Sequence, residues 1–317
     1  MGSCAARPRR RSSTSRRASW PAKCCSTCPS TSPTSTSWCS SAACSTSTAR
    51  VCDSGAVITD SHAHIYFDSF DTDREAVLAR AREAGVTRML LVGTNVATSR
   101  QCFELAHGAP GVFPTAGIHP HDAAEADDAA RAEIEAFCRR PECVAVGETG
   151  LDYFKNFSPR AAQLENFRWH LELARELDKP VIVHCREAHE DTLALLREHA
   201  GVRGVMHCYT YGPDELPPYL ELGFFISYSG VVTFPKNEAN RAAARATPLE
   251  RLLVETDCPF LAPQHRRGGR NEPAYCREVL ERIALARGLP LEELARITSD
   301  NATRLFRLPS EAPNAAP

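Results

Sequence analysis

Residues 57–67 read VITDSHAHIYF, an apolar and β-branched run followed by two histidines, His62 and His64, with one alanine between them. A continuous apolar run of roughly 4–8 residues predicts a strand covered on both faces. Side chains two residues apart in a strand point to the same face, so both imidazoles can reach one metal ion. Asp60 is predicted to face away from the pair and to be a minor residue of the stretch.

Similar apolar runs recur along the chain and alternate with amphipathic segments. The eight predicted strands are residues 57–64, 86–94, 112–120, 143–150, 180–186, 204–210, 224–230 and 252–257. The clearest predicted helices are residues 73–84, 160–178, 273–288 and 290–306. Eight strands alternating with helices over about 250 residues predict an α/β fold, a (β/α)8 TIM barrel. An open doubly wound sheet is the alternative.

Potential metal ligands gather at the carboxyl ends of six predicted strands. They are His62 and His64, His119 and His121, Glu148, His184, His207, and Glu255 with Asp257. A barrel brings these ends to one pocket, where so many polar groups above an apolar core would be costly unless a cation organised them. Mixed imidazole and carboxylate ligands suit zinc, manganese or iron and do not suit calcium. Even four histidines and two carboxylates of this set exceed the ligands of one four-coordinate ion, so we expect a carboxylate that bridges two ions.

Composition divides the chain near residue 56. Residues 1–52 contain eight Lys or Arg residues, seven of the 14 cysteines and no acidic residue. The other 265 residues hold 29 of the 37 basic residues and all 39 acidic ones, a net charge of −10. A polyanion would therefore bind through a local patch or metal ions and not through the overall charge. No apolar run approaches the roughly 20 residues that span a bilayer, which excludes a membrane-spanning protein.

We predict three regions: a disordered extension at 1–56, a hydrolase barrel at 57–308 and a short flexible tail at 309–317. The extension is rich in Arg, Ser, Thr and Cys. We read it as sequence upstream of a mis-assigned start codon, with an organelle transit leader and a genuine tail as alternatives. The seven later cysteines are isolated and predict reduced thiols, so we expect a cytoplasmic protein unless the leader is real.

Seven motifs together resemble the TatD family of metal-dependent deoxyribonucleases. They are SHAH, AGIHPH, GETGLDY, PVIVHCREA, MHCY, ETDCPFLAP and RGGRNEPAY, and the resemblance runs from Val57 to Phe306. It implies a TIM-barrel hydrolase of the amidohydrolase-like superfamily with two divalent cations, Mg²⁺, Mn²⁺ or Zn²⁺. The implied hydrolase needs no nucleotide cofactor.

The resemblance also implies roles for individual residues. One ion would be held by His62, His64, Glu148 and Asp257, and the second by Glu148, His184 and His207, with Glu148 as the bridge. Residues that would orient ligands or contact phosphate are His119, Asp152, Arg186, Tyr209 and Glu255, with His121 and Arg270 as weaker candidates. Glu148 and Asp257 would be catalytic, Asp257 as the proton acceptor.

The function expected from these residues is a DNase that hydrolyses phosphodiester bonds through a two-metal-activated hydroxide. Its substrate would be DNA, as single strands or frayed ends. One alternative is a metal-dependent ester or amide hydrolase, of the deacylase kind, that uses the same site. The other is a non-catalytic metal-binding barrel.

Overall fold

A computed structural model describes residues 57–309, so the predictions for 1–56 and for 310–317 lie outside the described residues. Each predicted strand is present. The strands are β1 Ile58–Ala63, β2 Val86–Leu91, β3 Val112–Pro114, β4 Val146–Asp152, β5 Val181–Arg186, β6 Gly204–Met206, β7 Phe225–Tyr228 and β8 Leu252–Val254.

Helices follow the strands in alternation, and the four predicted ones are confirmed. In the described range they are α1 Arg74–Glu83, α2 Val96–Ala106, α3 Asp128–Arg139, α4 Arg160–Glu176, α5 His189–Glu198, α6 Pro217–Glu221, α7 Glu238–Ala246, α8 Cys276–Arg287 and α9 Leu291–Phe306. No helix in this part of the chain has the length and apolarity needed to cross a membrane.

The strands pair in parallel and in chain order, as β1-β2-β3 and as β4 through β8. Two isolated parallel bridges join these sheets. Ala116 pairs with Val146 at the start of β4, and Ala63 at the end of β1 pairs with Cys258, just beyond β8. The sheet is therefore closed, which confirms the (β/α)8 barrel over the open doubly wound sheet.

Alternation along the strands explains how the barrel interior changes from apolar to polar. Ile182, Val205 and Leu253 belong to one buried apolar cluster. Each lies two residues before a polar residue (His184, His207 and Glu255, respectively), so both members of a pair face the interior. The apolar residues form the lower layer and the polar residues the upper one.

The end of α9 closes the lower end of the barrel. Leu305, Phe306 and Leu308 pack into the same apolar cluster as the lower-layer residues. Arg88 of β2 donates to Thr303 Oγ1 over 2.8 Å and so ties α9 to the strands. Each large apolar side chain buried here contributes about 1.5–3 kcal/mol. In the described part of the chain, the barrel is consequently closed at this end and open at the carboxyl ends of its strands.

Candidate metal centre

The end of β1 carries two buried imidazoles that converge. The Nε2 atoms of His62 and His64 lie 3.0 Å apart. Nδ1 of His64 donates to the carbonyl oxygen of Val92 over 2.8 Å, because a carbonyl only accepts. A neutral His64 ring therefore turns the lone pair of Nε2 toward His62. Two nitrogens at this distance require a proton or a cation near both.

Glu148, the third residue of β4, lies between two groups of histidines. Its Oε2 is 3.3 Å from His62 Nε2 and 3.8 Å from His64 Nε2. Its Oε1 is 3.0 Å from His184 Nδ1 and 3.1 Å from His207 Nε2. Each carboxylate oxygen thus faces a different pair of imidazoles, which is the arrangement expected of a bridging carboxylate.

The outer nitrogens of His184 and His207 are held by carboxylates, which fixes their tautomers. His184 Nε2 lies 3.3 Å from Asp152 Oδ2, and His207 Nδ1 lies 3.2 Å from Glu255 Oε1. Since ionised carboxylates only accept, these nitrogens carry the protons. The nitrogens that face Glu148 then present lone pairs to a negatively charged oxygen. Such an electron-rich contact fits a divalent cation.

The pKa shifts of Glu148 and His207 also indicate a site that suits a cation. Burial alone would raise the pKa of Glu148, but the facing imidazoles of His119, His207 and His62 hold it well below its ordinary value. Burial alone would lower the pKa of His207, but Glu148 and Glu255 raise it well above its usual range. The centre therefore stabilises positive charge, and a metal ion would take the place of the proton.

Asp257 lies beside the β1 pair because of a left-handed turn. Its backbone φ is 57°, a conformation that Asp tolerates better than most residues. Its N–H donates to the carbonyl of His62 over 2.9 Å. Its Oδ1 lies 3.4 Å from His64 Nε2 and 3.9 Å from His62 Nε2. The turn after β8 thus aims a carboxylate at the end of β1.

His119 contacts the carboxylate of Glu148 from the segment that follows β3. Its Nδ1 accepts the N–H of His121 over 3.1 Å. The proton of the neutral ring is therefore on Nε2, which lies 3.3 Å from Glu148 Oε1 and donates to it. Burial lowers the pKa of His119 to about 4, so the ring is uncharged near neutral pH. In this state His119 orients Glu148 by a hydrogen bond.

The converging groups satisfy the geometric requirement for metal binding. Among the described residues, three groups have ligand atoms that lie within 4.8 Å of one another: His62, His207 and Asp257; His62, His64 and Glu148; and His119, Glu148 and His184. All six predicted ligands belong to these groups. Their division between two ions stays a prediction.

The centre opens into a cavity of about 650 Å³. Besides the metal-binding groups, its walls include Phe67, Phe260, Lys155 and Arg186. A larger cavity of about 1050 Å³ lies elsewhere, and its lining includes residues of α2 and α3. The three metal-binding groups found in the described range do not contribute to its walls. The chemistry therefore belongs to the smaller cavity.

Comparison with known proteins identifies the family. A family model described as "TatD related DNase" matches residues 59–307. The chain belongs to this family. "Uncharacterized metal-dependent hydrolase YcfH" of Escherichia coli K12 is 42% identical over 259 residues, which cover 79% of this chain and 96% of that protein. "3'-5' ssDNA/RNA exonuclease TatD" of Musicola paradisiaca is 42% identical over 247 residues, which cover 75% of this chain and 94% of that protein.

A solved structure agrees with the sequence comparisons. The crystal structure of YJJV, a TatD homologue from Escherichia coli K12, superposes with a TM-score of 0.76 at 28% identity. The superposition covers 80% of this chain and 98% of that one. The resemblance predicted from the motifs is confirmed, and this TatD-family chain is a metal-dependent hydrolase.

The residues predicted to surround the metal-binding groups differ in their burial and contacts. Asp152 and Glu255 are fully buried behind His184 and His207. Arg186 is exposed at the cavity and lies over the ring of Phe154 at 3.9 Å. The positions of these three residues are compatible with orienting ligands or contacting phosphate, and these roles remain predictions.

Tyr209 and Arg270 have positions that do not suit a ligand or phosphate contact. Tyr209 is 3% exposed, and its hydroxyl donates to the carbonyl of Gly212 over 2.8 Å. The ring packs among Tyr211 and Tyr228 and is not among the residues that line the cavity. Arg270 forms an ion pair with Asp73 at 2.7 Å.

Sequence reasoning misjudged Asp60, which is completely buried. Its Oδ1 accepts the N–H groups of Thr256 at 2.9 Å and of His62 at 3.2 Å, and its Oδ2 accepts the Thr256 hydroxyl at 2.6 Å. The prediction that it is a minor residue is wrong, because it joins the strand that carries His62 to the residue before Asp257. Counting back two positions from His62 would have placed it on the same face.

Sequence reasoning also missed two residues that position the side chains of the metal centre. His170 of α4 accepts the N–H of Ile118 at its Nε2 over 3.0 Å and so holds the segment that carries His119. Gly150 of β4 has a φ of 136°, and a Cβ there would lie 2.0 Å from the carbonyl oxygen of His184. Glycine lets β4 and β5 approach closely enough for Glu148 and His184 to meet.

Proposed function

We propose that this TatD-family hydrolase is a metal-dependent nuclease that cleaves phosphodiester bonds of DNA, acting on single strands or frayed ends. The observation that carries the proposal is Glu148, whose two oxygens face separate pairs of imidazoles at the base of an open cavity. The name of the Musicola relative, an exonuclease on single-stranded DNA and RNA, supports the same substrate class.

His62, His64, Glu148 and Asp257 would hold one divalent cation, and Glu148, His184 and His207 a second. When bound, such cations supply Lewis-acid activation of water and of the phosphoryl group. The chain contributes the orientation of every donor. Asp152 and Glu255 hold His184 and His207 in the required tautomers, and His119 fixes the rotation of Glu148.

Asp257 is the proton acceptor in this proposal. Burial alone would raise its pKa, but the neighbouring imidazoles of His64, His207 and His62 lower the pKa below the ordinary value. The carboxylate is therefore ionised at neutral pH and can take a proton on either oxygen. Asp257 also lines the cavity, where a reacting water has access to it.

Positive charge at the cavity favours a phosphodiester over an uncharged ester or amide. Lys155 and Arg186 both line the walls, together with the carboxylates of Asp122, Glu148, Asp152 and Asp257, three of which contact the histidines of the centre. Two local cations suit a substrate that carries a negative charge on each linkage. An uncharged acyl substrate would gain nothing from them.

The test is product analysis on end-labelled single- and double-stranded oligonucleotides with Mg²⁺, Mn²⁺ or Zn²⁺, using the full-length chain. We expect shortened products, and a loss of at least about hundredfold in Glu148→Gln, because removal of even an outer partner of a metal ligand costs about 10–100-fold. Glu172→Gln removes a charge from the exposed side of α4 and serves as the matched control. Turnover of an ester or amide without cleavage of any oligonucleotide would contradict the proposal.

A further inference from the structure

Each exposed phenylalanine of the described chain either lines the cavity or contacts a residue that lines it. They are Phe67, Phe154, Phe157 and Phe260, which are 36%, 51%, 68% and 50% exposed, respectively. Leaving large apolar rings in water gains nothing for the fold, so a group of them at one opening marks a binding surface.

Phe67 and Phe260 form the first pair, on the loops that follow β1 and β8. Their ring centroids are 5.5 Å apart at an interplanar angle of 84°. Phe67 also stacks on Tyr66 at 5.1 Å, and Phe260 lies 6.5 Å from the ring of His64. This pair is therefore held against the metal-binding end of β1, and both rings line the cavity.

Phe154 and Phe157 form the second pair, on the loop between β4 and α4. Lys155 lies between them in the chain, with its Nζ 5.8 Å from each ring. The guanidinium of Arg186 lies 3.9 Å from the centre of Phe154, and Phe157 lies 4.8 Å from the ring of His121. This side of the mouth combines aromatic faces with positive charge.

The two pairs flank the metal centre from opposite sides. The strands close in chain order, so the loop after β4 is four strands away from the loop after β8. Aromatic faces interleaved with cations are the usual surface for single-stranded nucleic acid, since every base has a face to stack and every linkage a charge. A duplex buries its base faces in its own stack and cannot use such a surface.

We propose that the two phenylalanine pairs are stacking platforms for the bases on either side of the scissile phosphate, and that they set a preference for unpaired strands. This inference rests on the proposed nuclease function. The Phe67–Phe260 pair receives a base beside the β1 end of the centre. The Phe154–Phe157 pair receives a base on the other side, while Lys155 and Arg186 hold the adjoining phosphates.

The test compares two single-stranded oligonucleotides of equal length, one with all its bases and one with abasic tetrahydrofuran residues near the cleaved end. The readout is the ratio of their kcat/KM values. Stacking on one side chain changes affinity by roughly 5- to 150-fold, so we expect Phe157→Ala and Phe260→Ala each to lower the ratio by about tenfold. Phe157→Leu should lower it as well, because leucine keeps the apolar area and loses the aromatic face.

Phe157→Trp should retain the ratio, since tryptophan restores a face. Leu285→Ala is the matched control, because Leu285 is 73% exposed near the end of α8, away from the cavity. Unchanged ratios in the alanine variants, with the wild type active on both oligonucleotides, would overturn this inference and leave the nuclease function standing. A wild type that cleaves neither oligonucleotide would overturn the nuclease function and this inference with it.

Discussion

Replacement of Asp60 tests whether a carboxylate that is absent from the predicted ligand sets holds the centre together. The Asp60→Ala substitution leaves the buried N–H groups of Thr256 and His62 without their acceptor, and it leaves the Thr256 hydroxyl with only the carbonyl oxygen of His62, at 3.5 Å. An unsatisfied buried donor costs about 1–3 kcal/mol, so we expect the two N–H groups to lower the free energy of unfolding by about 2–6 kcal/mol. That is a large part of the roughly 5–15 kcal/mol typical of a folded protein.

Asp60→Asn separates the hydrogen bonds from the charge. Its amide oxygen can still accept both N–H groups, and its NH₂ can donate to the Thr256 hydroxyl, which is able to accept. Burial raises the pKa of Asp60 to about 7, so the carboxylate is largely ionised only above that pH. There we expect a loss of only about 1–2 kcal/mol, since the charge-assisted bonds become neutral ones. Metal affinity should fall with stability in Asp60→Ala and recover in Asp60→Asn.

The assay is urea unfolding followed by circular dichroism on chelator-treated protein, with metal affinity measured separately by titration calorimetry. Thr59→Val is the matched control on the same strand, because Thr59 Oγ1 is buried without a hydrogen-bond partner among the described residues. It should be neutral or stabilising. An Asp60→Ala protein within about 1 kcal/mol of the wild type would refute the reasoning, since two unsatisfied buried N–H groups should cost more than that.

Three further predictions concern the strand pair, the metal and acid stability. Gly150→Ala should lower the melting temperature far more than Gly201→Ala, which shares a positive φ but has no atom within 4 Å of the new Cβ; similar losses would contradict the close approach to β5. Mn²⁺ at a hundredfold excess over its Kd should add about 2.7 kcal/mol to the wild type and little to the Glu148→Gln variant, as measured by thermal unfolding. Hydrogen bonds from Arg270 and Arg80 lower the pKa of Asp73 from 3.8 to about 2, so its stabilisation is complete above about pH 4 and is lost as the pH falls toward 2. The deficit of Asp73→Asn in urea midpoint should therefore shrink between pH 5 and pH 3, and a constant deficit would contradict this assignment.

The strands could be predicted because each is a continuous apolar run, the pattern that a barrel covered by helices requires. Six of the eight carboxyl ends were placed too late, whereas β5 ends where predicted and β4 ends two residues beyond its predicted end. The third predicted strand extends to residue 120, whereas β3 ends at Pro114, and β6 and β8 end at Met206 and Val254. The chain leaves the ladder there to form the centre, and Cys208 and Asp257 adopt positive φ values of 43° and 57°. Apolar periodicity carries no information about such turns.

The convergence of the predicted histidines and carboxylates could be foreseen, because the carboxyl ends of the strands of a barrel meet at one pocket. Their role as metal ligands stays a prediction. The hydrogen bonds that hold the surrounding residues in place could not be predicted from the sequence. His170 acts through a bond from a helix to a loop that is 52 residues away in the chain, and Tyr209 turns its hydroxyl toward a local carbonyl. Both depend on side-chain direction after packing, which residue spacing does not determine.

The apolar side chains at the end of α9 close the lower end of the barrel, so the cavity of the described chain opens on one side. A polymer cannot thread through it as through a ring, so a strand must enter by its end or lie across the mouth. In the proposed nuclease, the fragment that is cut off would leave past the strand that remains. The removal of products and the advance of the substrate would then share one passage, and its width would help to determine how many cuts follow each encounter.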